Sequence, residues 1–406
     1  MRKSIIVFFV LVNLFLSSFS QNTEILNLTQ HINQDSLRQN VIELQNFSSR
    51  YAYNPNRKQV AEYLKTRLEN YGFEVVIDSF LLQTYWYPTA ADTLWQYNVI
   101  GEKQGIWAQD STVHLMAHYD SRSDMEGFED YFDFAPGADD NASGVAALLE
   151  IARIYHQHNI QPIKTLVIDF FAAEEQGLRG GWDRIEKIST PIWQEDIKAV
   201  INLDMIGYCT SDSTDYVFDV ITYHNSDELT DMAINFAEQY SLLLPHKTME
   251  NNNASDSYSF YSYGVPSVFL MEHEFTPHYH TERDVYTTIN YHYMREITKV
   301  AFALAYECSV HNDFGTVSIE EEKEAIAEVK LLSNPVSKEL KFSCRNLDSQ
   351  SKYTIYNQSS QIIVENTIEN PNGVNTIGIS DLKSGIYFLK ITSENQTITK
   401  KVVVLK

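Results

Sequence analysis

Cysteine is scarce in this chain. Cys209, Cys308 and Cys344 are the only three in 406 residues, and their wide spacing excludes a disulfide scaffold. The thiols therefore read as buried apolar groups, and spacing gives no support to a Cys209–Cys308 bridge. Positive charge is also in short supply, with 31 Lys and Arg against 54 Asp and Glu and a net charge of −23. That balance excludes nucleic acid and anionic membrane surfaces as partners, because both demand a basic face. Long apolar runs are missing too: no segment reaches the ~20 residues that span a bilayer, so stable membrane insertion is not expected. The run from Ile5 to Leu16 is too short to span comfortably. It follows Arg2 and Lys3 and precedes Ser18-Phe19-Ser20, the pattern of a secretory signal peptide over residues 1–20. Export to the cell surface or beyond it, through the periplasm, is the expected localisation.

What is present is an ordinary globular composition, 44% hydrophobic and 13% aromatic, long enough for two domains. Up to His311 apolar strand-like runs alternate with helical patterns. Gln59 to Tyr71 reads as an amphipathic helix and Val113 to Met116 as a buried strand, while Val145, Leu148, Leu149 and Ala152 recur at helical spacing. Such alternation predicts an α/β domain with a largely parallel sheet over 21–311. The acidic stretch Glu320-Glu-Glu-Lys-Glu324 reads as part of a solvated linker over 312–330. Beyond it, Tyr353-Thr-Ile-Tyr, Gln361-Ile-Ile-Val, Gly385-Ile-Tyr-Phe-Leu-Lys-Ile and Lys401-Val-Val-Val-Leu predict an all-β unit over 331–406.

The chemistry-bearing residues follow buried strands. His118 follows Val113-His-Leu-Met-Ala, and Glu174-Glu175 follow Leu166-Val-Ile-Asp-Phe-Phe. Asp204 ends Ala199-Val-Ile-Asn-Leu, and His280 lies beyond Ser267-Val-Phe-Leu-Met. Open α/β sheets gather ligands at the carboxyl ends of their strands, so residues distant in sequence can converge there. Two histidines and three carboxylates suit a pair of divalent ions, since zinc takes imidazole nitrogen and carboxylate oxygen. One carboxylate must bridge, and Asp140 in Gly137-Ala-Asp-Asp-Asn-Ala-Ser-Gly144 is placed for it. The small residues let the backbone bend toward the ions, and Ser143 is expected to help cap the following helix. Asp120, two residues beyond His118, is expected to accept the other imidazole N–H. Paired ions ~3.5–4 Å apart would hold a hydroxide for attack on a carbonyl. Glu174, not needed as a ligand, is the natural general base. Taken singly, each histidine reads as a hydrogen-bonded structural residue and Glu174-Glu175 as a solvated pair; the joint pattern of spaced segments argues for a metal site. His114 reads as a strand residue, His273 and His278 as supports of the His280 loop, and Asp139 as an outer hydrogen-bonding group.

His118-Tyr-Asp-Ser121, Gly137-Ala-Asp-Asp-Asn-Ala-Ser-Gly144, Ala172-Ala-Glu-Glu-Gln-Gly-Leu-Arg-Gly180, Asn202-Leu-Asp-Met205 and Pro277-His-Tyr-His-Thr281 occur in order. Through them the segment from about 41 to 310 resembles the secreted zinc-dependent aminopeptidases of the bacterial leucyl type. The resemblance implies a mixed, mostly parallel eight-stranded sheet flanked by helices and two Zn2+ per chain. It further implies that Asp140, not Asp139, bridges the ions, one completed by His118 and Asp204 and the other by Glu175 and His280. Peptide substrates losing their N-terminal residue are then expected. Where the family usually carries Ser-Asp-His before a Phe, this chain has Ser255-Asp256-Ser257 before Phe260, which leaves substrate preference open. The stretch Tyr85-Trp86-Tyr87-Pro88 reads as surface packing or pocket lining. Carboxypeptidases and dipeptidases share the family. Glutaminyl cyclases carry a similar His-Tyr-Asp-Ser segment but one zinc, and a binding module on the scaffold would have lost ligands that are intact here. Leu332-Ser-Asn-Pro335, Gly385-Ile-Tyr-Phe-Leu-Lys390 and Lys400-Lys-Val-Val-Val-Leu-Lys406 resemble the C-terminal sorting domain of type IX secretion. That resemblance implies an immunoglobulin-like β-sandwich and the secretion machinery as partner.

Overall fold

The computed structural model describes residues 22–83, 93–124, 133–190, 193–311, 328–345, 347–348, 350–357, 361–393 and 397–406. The expected signal peptide, the Tyr85–Pro88 stretch and most of the expected linker lie outside the described residues.

Three helices, α1 (Thr23–Thr29), α2 (Gln34–Gln45) and α3 (Arg57–Asn70), lead into strands β1 (Glu74–Gln83), β2 (Thr93–Lys103) and β3 (Ala108–His118). Then follow α4 (Ala142–Gln157), β4 (Lys164–Phe171), α5 (Arg179–Ile188) and a short ribbon of β5 (Ser189–Thr190) and β6 (Trp193–Gln194). The domain closes with β7 (Asp196–Leu203), β8 (Val217–Ile221), α6 (Asp227–Tyr240), β9 (Leu244–Thr248), α7 (Ser257–Tyr261), β10 (Ser267–Glu272) and α8 (Tyr291–Val310). Eight strands form one sheet in the order β1-β2-β4-β3-β7-β10-β8-β9. Its centre, β4-β3-β7-β10, is parallel, and antiparallel pairings β1–β2, β2–β4 and β10–β8 flank that centre. The mixed eight-stranded sheet expected from the resemblance is therefore present.

The sequence alternation sorts the two faces. Val113, Leu115 and Ala117 of β3 lie in the large core with Ile168 of β4 and Ile201 of β7, against α4 and α8. Each fully buried Val, Leu or Ile among them contributes roughly 1.5–3 kcal/mol. Met116, Phe171 and Val200 face the other way and pack on Phe260 of α7 and on Ile185 and Ile188 of α5. Every residue of β4 is buried, as expected for a strand covered on both sides. Gly144 in the first turn of α4 permits a close approach that fixes that helix, since a Cβ there would come within 2.4 Å of the Leu203 carbonyl at the end of β7.

The tail forms two antiparallel sheets. One comprises β11 (Glu328–Leu331), β12 (Glu339–Arg345) and β15 (Val374–Gly378); the other comprises β14 (Ile362–Thr367), β13 (Lys352–Asn357), β16 (Gly385–Thr392) and β17 (Thr397–Val404). Leu340, Phe342, Ile355, Leu389 and Val402 belong to its separate core, the immunoglobulin-like arrangement expected. Strand β11 begins at Glu328, so all-β structure reaches into the stretch assigned to the linker.

Candidate active site

At the carboxyl edge of β3, β4, β7 and β10 the five expected donors converge. His118 ends β3, Glu174 and Glu175 follow β4, and Asp204 follows β7. His280 arrives on the loop after β10, and Asp140 on the turn into α4. Asp140 stands between the histidines: its Oδ1 is 3.2 Å from His118 Nε2 and its Oδ2 3.1 Å from His280 Nε2. His118 Nε2 is also 3.2 Å from Asp204 Oδ1, and His280 Nε2 is 2.9 Å from Glu175 Oε1. Two trios of donor atoms result, His118, Glu174 and Asp204 on one side and Asp140, Glu175 and His280 on the other.

A cation fits this set better than the internal contacts do. His280 Nε2 and Glu175 Oε1 are buried without an aligned hydrogen bond despite their proximity, so their lone pairs aim at shared space rather than at each other. Burial alone would lower the His280 pKa, but the adjacent Asp140 and Glu175 carboxylates overcome it and raise it to about 10. His118 is raised well above its ordinary value because the charges of Asp204 and Glu174 outweigh burial. Burial and the Asp140 charge bring Glu175 up to about 7. Buried carboxylates in excess of cations hold protons on neighbouring imidazoles, and a divalent ion answers the same demand.

The chain holds these groups rigidly. Ala173, Met205 and His280 itself adopt left-handed backbone, with φ of 57°, 52° and 52°; such strain concentrates where a site is over-determined by its surroundings. The Asp120 carboxylate accepts from the main-chain N–H groups of Glu174 (3.1 Å) and Glu175 (3.3 Å). Its contact with the His118 imidazole differs from expectation. The carboxylate lies 3.5 Å from Nδ1, whereas the main-chain carbonyl of Asp120 is 3.2 Å away and aligned. Asn141, rather than Ser143, caps α4 by accepting from Gly144 N–H. Ser143 instead donates to the Asp139 carbonyl and accepts from Ile206 N–H, joining the turn to the end of β7. Asp139 accepts from Gly207 N–H and burial lifts its pKa to about 7.

The other histidines are dispersed. His114 lies earlier on β3, beside Phe260 and bonded to Asp169 at 2.6 Å. His278 lies edge-on to Tyr208. His273 does not support the His280 loop as expected; it turns to Asp219. Ser257, at the position where the family usually carries a histidine, is bonded to the Tyr223 hydroxyl, and Asp256 beside it is buried with neither carboxylate oxygen hydrogen-bonded.

Two positioning residues escaped sequence reasoning. Asp284 accepts from the N–H groups of Asp139 and Asp140 at 2.8 and 3.1 Å. Arg50, fully buried, donates to the carbonyls of Tyr119, Leu44, Pro136 and Gly137. Burial lowers the Arg50 pKa to about 10, with Asp284, Asp120 and Asp140 opposing, so it stays charged at neutral pH. The spacing of Asp284 from His280 was a signal of sorts; nothing around Arg50 was.

Beside the donors lies a cavity of about 240 Å3. Glu174, Glu175, Asp140, Asp204 and His118 line it together with an apolar wall that includes Met205, Phe269, Met271, Phe275 and Tyr279.

The sequence profile of Peptidase family M28 matches residues 98–305, which include every one of these donors and the whole parallel centre of the sheet. The chain belongs to peptidase family M28. It is accordingly a zinc-dependent hydrolase of peptide bonds. Leucine aminopeptidase 1 of Coccidioides posadasii is 28% identical over 304 residues, 72% of this chain and 76% of that protein. A probable aminopeptidase of Saccharomyces cerevisiae is 25% identical over 287 residues, 68% and 74% of the two chains. Among solved structures, the LapA aminopeptidase of Legionella pneumophila superposes with a TM-score of 0.58 at 22% identity, over 72% of this M28 chain and 76% of LapA. A Bacteroides thetaiotaomicron glutaminyl cyclase gives 0.57 at 21% identity, over 68% and 98%. The fold alone therefore does not separate cyclase from peptidase. Residues 331–405 match the secretion system C-terminal sorting domain, the type IX tail that the sequence resembled, and mark the M28 peptidase for export. No helix among the described residues is long and apolar enough to cross a membrane.

Proposed function

We propose that this M28 peptidase is an exported two-zinc aminopeptidase with Glu174 as its general base. The observation that carries the reading is Asp140, whose two oxygens face two different histidines, each with a further carboxylate at hand. Asp140 would be shared between two ions, one held also by His118 and Asp204 and the other by Glu175 and His280. When bound, such a pair acidifies an attacking water and polarises the scissile carbonyl.

The rest is done by the chain. Glu174 lines the cavity beside these groups, and burial raises its pKa well above that of an exposed glutamate. A raised pKa suits a group that must accept a proton from water and later give it to the leaving amine. Asp120 holds the Glu174-Glu175 backbone, so base and neighbouring donor keep one relative position. The carboxylate lining favours a substrate with a free, positively charged amine. The wall of Phe269, Met271, Phe275 and Tyr279 suits a large apolar first side chain. Carboxypeptidase action would need a cation to hold the substrate carboxylate, and among the described residues that line the cavity there is no lysine or arginine.

The test uses zinc-loaded protein against leucyl-amide, its N-acetylated form, short peptides and an N-terminal glutaminyl peptide, with Glu174→Gln alongside. The expected result is cleavage of unblocked substrates only, lost in the variant while zinc content is kept. Cyclisation of the glutaminyl peptide without hydrolysis would overturn the reading, as would cleavage of the acetylated amide at an equal rate.

A further inference from the structure

A second donor cluster has no donor residue in common with the candidate centre. Asp219 sits in β8, directly opposite His246 of the edge strand β9 and opposite Met271 of β10 on its other flank. Opposed residues share a face of a sheet, and so do residues two apart along a strand. Asp219, His246, Met271 and His273, just past the end of β10, therefore meet on one side. The contacts are close: His246 Nδ1 is 2.8 Å and His273 Nδ1 2.7 Å from the same oxygen, Asp219 Oδ1. The two rings stand edge to face with centroids 5.1 Å apart. Side-chain exposure is 53% for His246, 42% for His273 and 20% for Asp219.

We propose that Asp219, His246 and His273 form a further divalent-metal site, suited to zinc or a neighbouring late first-row ion, that clips β9 to β8 and β10. Two imidazoles with one carboxylate favour zinc, copper or nickel; calcium and magnesium require mostly oxygen ligands. Bonds of ~2.0–2.1 Å in tetrahedral geometry separate ligand atoms by about 3.3 Å. The Nδ1 and Oδ1 atoms must therefore draw apart by a few tenths of an ångström, which the exposed His246 and His273 side chains can do. As each neutral imidazole gives its Nδ1 lone pair to the ion, its proton moves to Nε2, so the exchange needs no base. Three protein ligands leave the remaining position to water. The clip acts where a sheet is weakest, because β9 is paired on one side only.

Zinc bound per chain, measured by elemental analysis after equilibrium dialysis of the full chain against micromolar zinc, tests the proposal together with His246→Ala, His273→Ala and Asp219→Asn. Each variant is expected to bind one equivalent less than wild type while keeping its peptidase activity. The midpoint of thermal unfolding should rise with added zinc by more in wild type than in any variant. Because the comparison is a difference, its outcome does not depend on how many ions the main centre holds. Equal zinc content and equal zinc-induced shifts in all four proteins would overturn the proposal and leave the trio as an imidazole–carboxylate hydrogen-bond cluster.

Discussion

Replacing Arg50 by lysine should damage both stability and the metal centre, although charge is conserved. Arg50 delivers four hydrogen bonds from a planar fork to carbonyls on three segments: Leu44, Tyr119 beside His118, and Pro136-Gly137 beside Asp140. A lysine has three donors on one nitrogen and cannot span these positions. Losing two of these bonds from a charged donor, each worth ~1.5–3 kcal/mol, predicts a loss of about 3–6 kcal/mol. Unfolding entropy of ~2.1 cal/mol/K per residue amounts to about 0.6 kcal/mol/K over residues 22–311. The thermal midpoint should accordingly fall by about 5–10 °C. Since these segments carry His118 and Asp140, which would hold zinc on the proposed reading, zinc affinity should fall by roughly 10–100-fold, the usual effect of removing support from metal ligands. Differential scanning calorimetry and competition with a chromophoric chelator measure the two effects. A variant melting within about 2 °C of wild type, with unchanged zinc affinity, would refute the claim that Arg50 ties these segments together.

Further predictions follow from the same structure. Met271→Ala should cut the preference for leucyl over alanyl substrates by roughly tenfold in kcat/KM, as expected when an apolar pocket loses a wall; an unchanged ratio would remove Met271 from the pocket. For His114, burial pulls the pKa down but the Asp169 charge wins, so the folded-state value is raised. A raised histidine stabilises fully below its unfolded pKa of ~6.5 and loses that contribution as pH rises through the folded value. The stability gap between wild type and His114→Gln, from urea titrations, should thus be widest in acid and narrow as the solution becomes alkaline. Deleting residues 328–406, which have their own core, should leave peptidase activity intact and abolish export, read by assaying cells and medium separately.

Much of the site was legible because its residues carry local signatures. His118, Glu174-Glu175 and Asp204 each close an apolar run, and a strand in a parallel sheet points its carboxyl end at the crevice. Gly137, with φ of 48° and no room for a Cβ beside the Asp140 carbonyl, announces a tight turn by its identity alone. Arg50 was invisible for the opposite reason: its partners are main-chain carbonyls up to 87 residues away, and a carbonyl has no sequence. The Asp219 cluster was hidden because its three members come from adjacent strands whose pairing, including parallel β8–β9, depends on register. In the tail, apolar and aromatic runs bounded by turn residues revealed β13, β14, β16 and β17. β12 was missed even though Leu340, Phe342 and Cys344 alternate with Lys341 and Ser343, and β15 is short and buries the polar Asn375.

The scatter of the donors along the chain has a consequence for how activity is acquired. Between His118 and His280 the required groups come from the ends of three strands, one helix-entry turn and one loop, and none of these segments by itself holds a complete trio. The contacts that unite them are long-range, so loop-closure entropy must be met before any donor set exists. Hydrolytic capacity is consequently a property of the finished sheet. Nascent chains and fragments that lack any of the segments between His118 and His280 are therefore expected to be catalytically silent, and a cell that makes this peptidase would meet its chemistry only once that domain has folded.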